Sequence, residues 1–350
     1  MNESILAVSR QFFQQIVLPI LEQEFPAETA QTAFGLFGLG SEAYLMDDEY
    51  SRDHHWGLRI DALMPEELFQ TRRAEILQTV QANLPAAFQG YPLRSGHIAG
   101  AGLAPDSYPA FLRRTIGLTH PPQTCTEWLL LPEEDILHII NGEVWHDPSG
   151  RFTTLRTAFQ NHYPEPVRRR RIAHWCRYFS GMGTYALKRA ILRNNEFYAV
   201  TRFANAIRLG VQLAFLLDRR FFPYDKWLMA YFPRLPRLYA PLHPLVDEAV
   251  QLATPWERKL ELLDRMADIL DAAMVADGLI RPHPKFVASP TSGYRLLEHA
   301  YAELIQASPE EIKTVVPVWD QVYLEQFHSG YVNGVDLPTW DSILGLHPEE

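Results

Sequence analysis

The periodicity of this chain changes once, near residue 150, and that change limits its fold class more than any other feature. Before it, short apolar runs bounded by turn residues alternate with amphipathic stretches. After it, from about 152 to 350, the dominant period is helical. The expected architecture is α+β: a mixed-sheet N-terminal domain over residues 1–150, then an all-helical C-terminal domain over 151–350. The length, 350 residues, fits two domains of about 150 each.

Residues 3–24 place Ile5, Phe12, Phe13, Ile16, Val17, Ile20 and Leu21 largely on one helical face. Residues 32–39 read as a buried strand, and 58–64 alternate well enough for a second. Pro65-Glu66-Glu67 opens a helix to about Asn83, with proline in the first turn and acids at the positive end. Residues 91–98 and 124–131 are short strand candidates. Pro132-Glu133-Glu134 starts a helix that stops at Gly142, and Val144–Gly150 reads as a strand and a turn. In the second half, helices are expected over 166–194, broken at Gly181 or Gly183, and over 196–218, 255–276 and about 291–306. Thr254 reads as the N-cap of the third, and Ser308-Pro309-Glu310-Glu311 as another helix start. Five prolines between 221 and 244 suggest an ordered connector.

The composition excludes some classes. Net charge is −10, and a general nucleic-acid binder is usually basic, so nucleic acid is not the favoured partner. Cys125 and Cys176 are too few for a disulfide framework and wrongly spaced for structural zinc, which fits a reducing cytoplasm. No apolar run approaches ~18 residues, so no membrane span is expected, and the N-terminus reads as an amphipathic helix rather than a signal peptide.

Function is carried by residues 34–57. The apolar run Phe34–Leu39 feeds a Gly40-Ser41 turn, and then come Glu42, Asp47, Asp48, Glu49, Asp53, His54 and His55. Glycine lets the backbone approach a phosphate, and the serine hydroxyl with nearby N–H groups can bind it. Clustered carboxylates hold a divalent metal against a triphosphate.

Gly40-Ser41-Glu42, Asp47, Ser51, Asp53-His54 and Trp56-Gly57 together resemble the nucleotidyltransferase superfamily. Within it they resemble an uncharacterised domain family with a Gly-Ser…Asp-His-Asp-Trp-Gly type motif. Trp128-Leu129, Gly142-Glu143-Val144-Trp145 and Pro223-Tyr224-Asp225-Lys226-Trp227 are similar to later parts of it. The resemblance implies a nucleotidyltransferase-like first domain and a helical domain closing the cleft. It implies a nucleoside triphosphate substrate and magnesium or manganese on Asp53 and Asp47. His55 stands where the family carries the second aspartate, so the resemblance implies that Asp47 or Asp48 supplies the missing carboxylate, that the metal is softer, or that activity is reduced or lost. Asp61, Glu127 and Glu143 are all open as the third carboxylate.

Arg168–Arg171 form a four-arginine run, read as a solvated helix face or a phosphate contact. Arg189, one helical turn before Arg193, and Lys226, among aromatics, are candidates to meet phosphate across the cleft. The expected activity is metal-dependent transfer of a nucleotidyl group to a small-molecule, RNA or protein acceptor. Catalysis falls to Asp53, Asp47 and Lys226, with nucleotide binding at Gly40, Ser41, Arg189 and Lys226 and metal on Asp53, His55 and Asp47. The alternative is a non-catalytic nucleotide-binding or regulatory protein on the same scaffold, which His55 favours. A metal-dependent hydrolase using the Asp and His-His cluster is the third reading.

Overall fold

The computed structural model describes residues 4–50, 57–93, 102–282 and 297–315. The chain divides into two compact units. One comprises Met1–Pro122 with Glu133–His162, and the other Gln123–Pro132 with Tyr163–Glu350. The division therefore falls beside residue 162 and not 150, and the second unit borrows a short segment from the first half.

In the first unit six strands occur among the described residues. They are β1 (Ala33–Leu36), β2 (Arg59–Met64), β3 (Ala87–Phe88), β4 (Tyr91–Pro92), β5 (Gly102–Ser107) and β6 (Glu143–His146). Four make a mixed sheet in the order β5-β2-β1-β6, and β3 with β4 forms a separate ribbon. β1 is antiparallel to both β2 and β6, whereas β2 is parallel to β5. A parallel pair needs a crossover, and α4 (Glu66–Asn83) lies within it, burying Phe69, Ile76 and Val80. The N-terminal helix comes as α1 (Ile5–Phe12), a π turn at Phe13–Val17 and α2 (Leu18–Glu24); two single-turn helices, α3 (Pro26–Thr29) and α7 (Leu137–Ile140), also belong to this unit. Leu18 N–H reaches back five residues to Phe13 O, and Pro19, which has no N–H to give, follows at once.

Strand alternation sorts the two sheet faces. Ile60, Ala62 and Met64 of β2 join Phe12, Phe13, Val17 and Leu21 in the larger core. Arg59, Asp61 and Leu63 fall on the other face. There α5 (Tyr108–Ile116) and α8 (Arg151–Gln160) bring Phe111 and Phe152 against Phe37, with ring centroids 5.9 and 4.5 Å away. Arg156 of α8 donates to Ile140 O at 2.5 Å and Asn141 O at 3.0 Å, which keeps α8 in the first unit.

The second unit is helical. It is built from α6 (Cys125–Leu130), α9 (Glu165–Arg177), a π segment Tyr178–Tyr185, α10 (Ala186–Leu192), α11 (Glu196–Leu217), α12 (Asp225–Tyr231) and α13 (Tyr239–Val250). Then follow α14 (Trp256–Ala276), α15 (Glu298–Gln306) and α16 (Glu310–Lys313). The expected break at Gly181 or Gly183 is the π segment; at Gly183 a Cβ would sit 3.0 Å from the Ala206 backbone. α11 is long and apolar enough to cross a membrane by composition, with mean hydropathy 1.2, but 67% of that window is buried inside the protein, as for a core helix.

Several local expectations are corrected. Residues 124–131 are helical and not a strand: Thr124 Oγ1 accepts Glu127 N–H at 3.1 Å while the Glu127 carboxylate accepts Thr124 N–H at 3.3 Å, a reciprocal N-terminal cap. The proline-rich stretch is not a bare connector but carries α12 and the start of α13. The N-cap of α14 is Pro255, and Thr254 instead donates to Glu248 O at 2.7 Å.

The arginine run is not a solvated face: only Arg169 is part-exposed, its side chain 38% accessible and paired with Glu165. Arg168, Arg170 and Arg171 are buried. Arg171 Nη2 donates to Leu129 O and Leu131 O at 3.0 and 2.8 Å, covering the C-terminal carbonyls of α6. Arg170 does the same for Ile312 O and Val315 O, and Arg168 reaches Leu216 O at the end of α11. The last carbonyls of a helix have no partner within it, and these guanidiniums supply one.

Candidate functional site

β1 ends at Leu36 and the chain turns through Gly38 and Gly40, whose φ values of 80° and 111° are left-handed. Arg59, at the start of β2, lies inside this turn. Its Nη2 donates to Phe37 O at 3.0 Å and Leu39 O at 2.8 Å, its Nη1 to Glu42 Oε1 at 2.8 Å, and its Nε to Asp61 Oδ2 at 3.2 Å. Asp61 Oδ2 also accepts Phe37 N–H at 2.9 Å. From the opposite side the Asn141 side chain accepts Gly38 N–H at 2.9 Å and donates to Gly38 O at 2.8 Å. Gly142 N–H then donates to Ala43 O at 2.9 Å. Only glycine fits at 142, since a Cβ there would lie 1.9 Å from Leu36 O.

Beyond Gly40 the turn closes on itself. Ala43 N–H donates to Gly40 O, and Tyr44 and Met46 N–H both donate to Ser41 O. Among the described residues, the N–H groups of Leu39, Gly40 and Ser41 and the Ser41 hydroxyl meet no partner. Consecutive unspent N–H groups beside a left-handed residue make a concavity that favours an anion.

Charge beneath the turn is negative. Glu42 is 4% exposed, and burial pushes its carboxyl above the usual range against the pull of Arg59, with Asp61 and Asp47 adding to the rise. Asp61 is raised for the same first reason, burial, with Arg59 and the Phe37 N–H opposing. One guanidinium thus serves two carboxylates.

The sequence-derived residues are distributed as follows. Gly40 and Ser41 form the turn, and Asp47 follows it, half-buried. Asp53, His54 and His55 lie outside the described residues. Arg189 and Lys226 belong to the second unit: Arg189 stacks on Tyr185 at 5.4 Å, and exposed Lys226 lies over the Trp227 ring at 4.7 Å. Of the three open carboxylates, Glu127 caps α6 and Glu143 receives Arg10 at 2.9 Å, while Asp61 stands at the turn. Among the described residues no three metal-ligating side chains gather. Sequence reasoning missed Arg59 and Asn141. A signal existed for the first: in Leu58–Met64 strand alternation puts Arg59 and Asp61 on one face.

Comparison with known proteins adds little that is specific. The family described as "Domain of unknown function (DUF4037)" matches residues 128–228. No curated protein matches the chain. Among solved structures, a nucleotidyltransferase-like protein from Exiguobacterium sibiricum 255-15 is similar at a TM-score of 0.37 and 12% identity, with 94% of this chain and 91% of that one covered.

Proposed function

We propose that the Leu39–Ser41 turn binds the triphosphate of a nucleoside triphosphate. In this reading the chain transfers the nucleotidyl group to a small-molecule, RNA or protein acceptor with the help of a divalent metal. The observation that carries this reading is the set of unspent N–H groups at Leu39, Gly40 and Ser41, on a turn held rigid by Arg59 and Asn141. The sheet adds support: because β1 is antiparallel to β2, this turn and the start of β2 share one end of the sheet.

In this reading Ser41 and the turn hold the distal phosphates. Asp53, with Asp47 or His55, would hold magnesium or manganese, and His55 would extend the range to softer ions. Such a metal would supply charge neutralisation at the phosphates. The acceptor oxygen attacks the α-phosphorus and pyrophosphate leaves. The free thiols of Cys125 and Cys176 fit a cytoplasmic setting.

A second reading, nucleotide binding without turnover, is favoured by His55 and by Arg59 being engaged with Glu42 and Asp61. Labelled triphosphates with magnesium, manganese or zinc separate the two. Pyrophosphate release that disappears in Asp53→Ala supports transfer. Binding without release, and release gained in His55→Asp, supports the second reading. Neither binding nor release with any nucleotide defeats both.

A further inference from the structure

A cavity of ≈ 280 Å³ opens on the polar face of the sheet, wholly within the first unit. Asp61 of β2 and Asp106 of β5 line it. Asp61 stands opposite Ala104 in the parallel ladder, and Asp106 is two residues further along β5, so the two carboxylates share one face. Strand spacing and rise put their Cα atoms about 8 Å apart. Arg114 of α5 enters from the other wall, and Phe37, Phe111 and Leu63 supply apolar surface.

The polar groups are unequally spent. Asp61 Oδ2 holds Phe37 N–H and Arg59, but among the described residues Oδ1 has no partner. Asp106 Oδ1 accepts Ser107 N–H at 2.8 Å, and Oδ2 accepts Arg114 Nη2 at 2.5 Å. Arg114 makes that one hydrogen bond among the described residues, though its charge also acts on Asp61; its side chain is 58% exposed, so most of its N–H donors remain open. Arg59, the other cation of the lining, is committed to the turn.

The cavity therefore presents an open carboxylate oxygen backed by a second carboxylate, a guanidinium with donors to spare beyond its pairing with Asp106, and apolar wall between them. Two aspartates and two arginines sum to zero formal charge. Such a space desolvates a net ion without compensation, whereas separated opposite charges on the ligand meet separated opposite charges on the wall. Its volume corresponds to about nine waters at roughly 30 Å³ each, or a ligand of about ten heavy atoms.

We propose that this cavity binds a small zwitterion of the α-amino-acid type, with its ammonium at Asp61, its carboxylate at Arg114 and an apolar side chain against Phe37 and Phe111. The inference does not rest on the nucleotide reading. Isothermal titration of the full chain, with no nucleotide or metal present, tests it with glycine, L-leucine and L-phenylalanine and with their N-acetyl and amide forms. L-leucine or L-phenylalanine is expected to bind more tightly than glycine. Capping either end is expected to weaken binding about tenfold or more, the loss of one charged contact worth about 1.4 kcal/mol. Arg114→Gln is expected to weaken the free acid to the level of its amide while leaving the amide unchanged. Because Arg114 is exposed, the variant's unfolding midpoint should match the parent and so certify its fold. The proposal is overturned if none of the three amino acids binds, if an amide binds as tightly as its acid, or if Arg114→Gln leaves the affinity unchanged. With no nucleotide in the cell, failure here leaves the triphosphate reading standing, and failure of that reading leaves this one.

Discussion

Arg59 Nη1 lies 2.8 Å from Glu42 Oε1 while Nη2 of the same guanidinium holds Leu39 O at 2.8 Å, so one residue fixes both the charge and the shape of the Gly-Ser turn. The Arg59 and Glu42 side chains are 12% and 5% exposed. Removing one partner of a buried pair leaves an uncompensated charge and costs about 3–5 kcal/mol. Arg59→Met is expected to lose that much in urea unfolding at pH 7, and adding Glu42→Gln is expected to recover part of it. A loss below about 1 kcal/mol for the single variant contradicts the role.

Gly40→Ala tests the turn more locally. The backbone is left-handed, and a Cβ would stand 2.5 Å from Glu42 Oε2 and 2.6 Å from Oε1, the oxygen that Arg59 anchors. Gly117 is also left-handed, at φ 77°, yet a Cβ there would meet nothing within 4 Å. Gly117→Ala is therefore expected to cost about 1 kcal/mol, the conformational term alone, and Gly40→Ala about 2–3 kcal/mol. Equal losses in thermal or urea unfolding show that the carboxylate beneath Gly40 does not matter.

The sheet and the turn were readable where side chains declare their own period. Phe34–Leu39 is a short apolar run of the kind a buried strand makes, Leu58–Met64 alternates, and Pro65-Glu66-Glu67 announces α4. Cys125–Leu130 was not readable from apolarity, because Trp128-Leu129-Leu130 suits a strand equally well; the decisive signal was the Thr124–Glu127 spacing. β5 was missed because Gly102-Leu103-Ala104-Pro105-Asp106-Ser107 has weak strand propensity, and a proline is tolerated on an edge strand such as this. Gly40 and Ser41 were visible because the turn is local. Arg59 and Asn141 act on it from other segments, and only topology brings them there.

The arginine run illustrates the same limit and yields a prediction. Four adjacent arginines look solvated, yet Arg171 is 1% exposed and closes the end of α6. Arg171→Met keeps much of the volume but strips partners from buried carbonyls, at about 1–3 kcal/mol per group left unsatisfied. A loss of about 3 kcal/mol is expected in chemical unfolding, and a change within 0.5 kcal/mol, on the order of an ordinary surface substitution, contradicts the capping role.

His138 and Asp135 give a pH signature. Burial holds the His138 imidazole near 4 and pushes the Asp135 carboxyl to about 6, with Nδ1 and Oδ1 3.5 Å apart. The unfolded histidine takes its proton at 6.5. Its contribution to stability is thus fully present above 6.5 and is lost as pH falls toward 4. Asp135 runs the other way, its contribution present below 3.8 and lost as pH rises to about 6. His138→Gln removes the first slope and leaves the second. The stability of the parent relative to this variant is expected to grow, by up to about 3 kcal/mol, as pH rises from 4 to 6.5. Parallel pH profiles in urea unfolding contradict it.

Titration of the full chain with ATP, GTP, CTP and UTP, each with magnesium, manganese or zinc, addresses the Leu39–Ser41 turn most directly. At least one triphosphate is expected to bind, with affinity falling about tenfold or more in both Gly40→Ala and Ser41→Ala while Arg114→Gln leaves it unchanged. No binding by any of the four, or binding indifferent to Gly40 and Ser41, would contradict a triphosphate site at this turn.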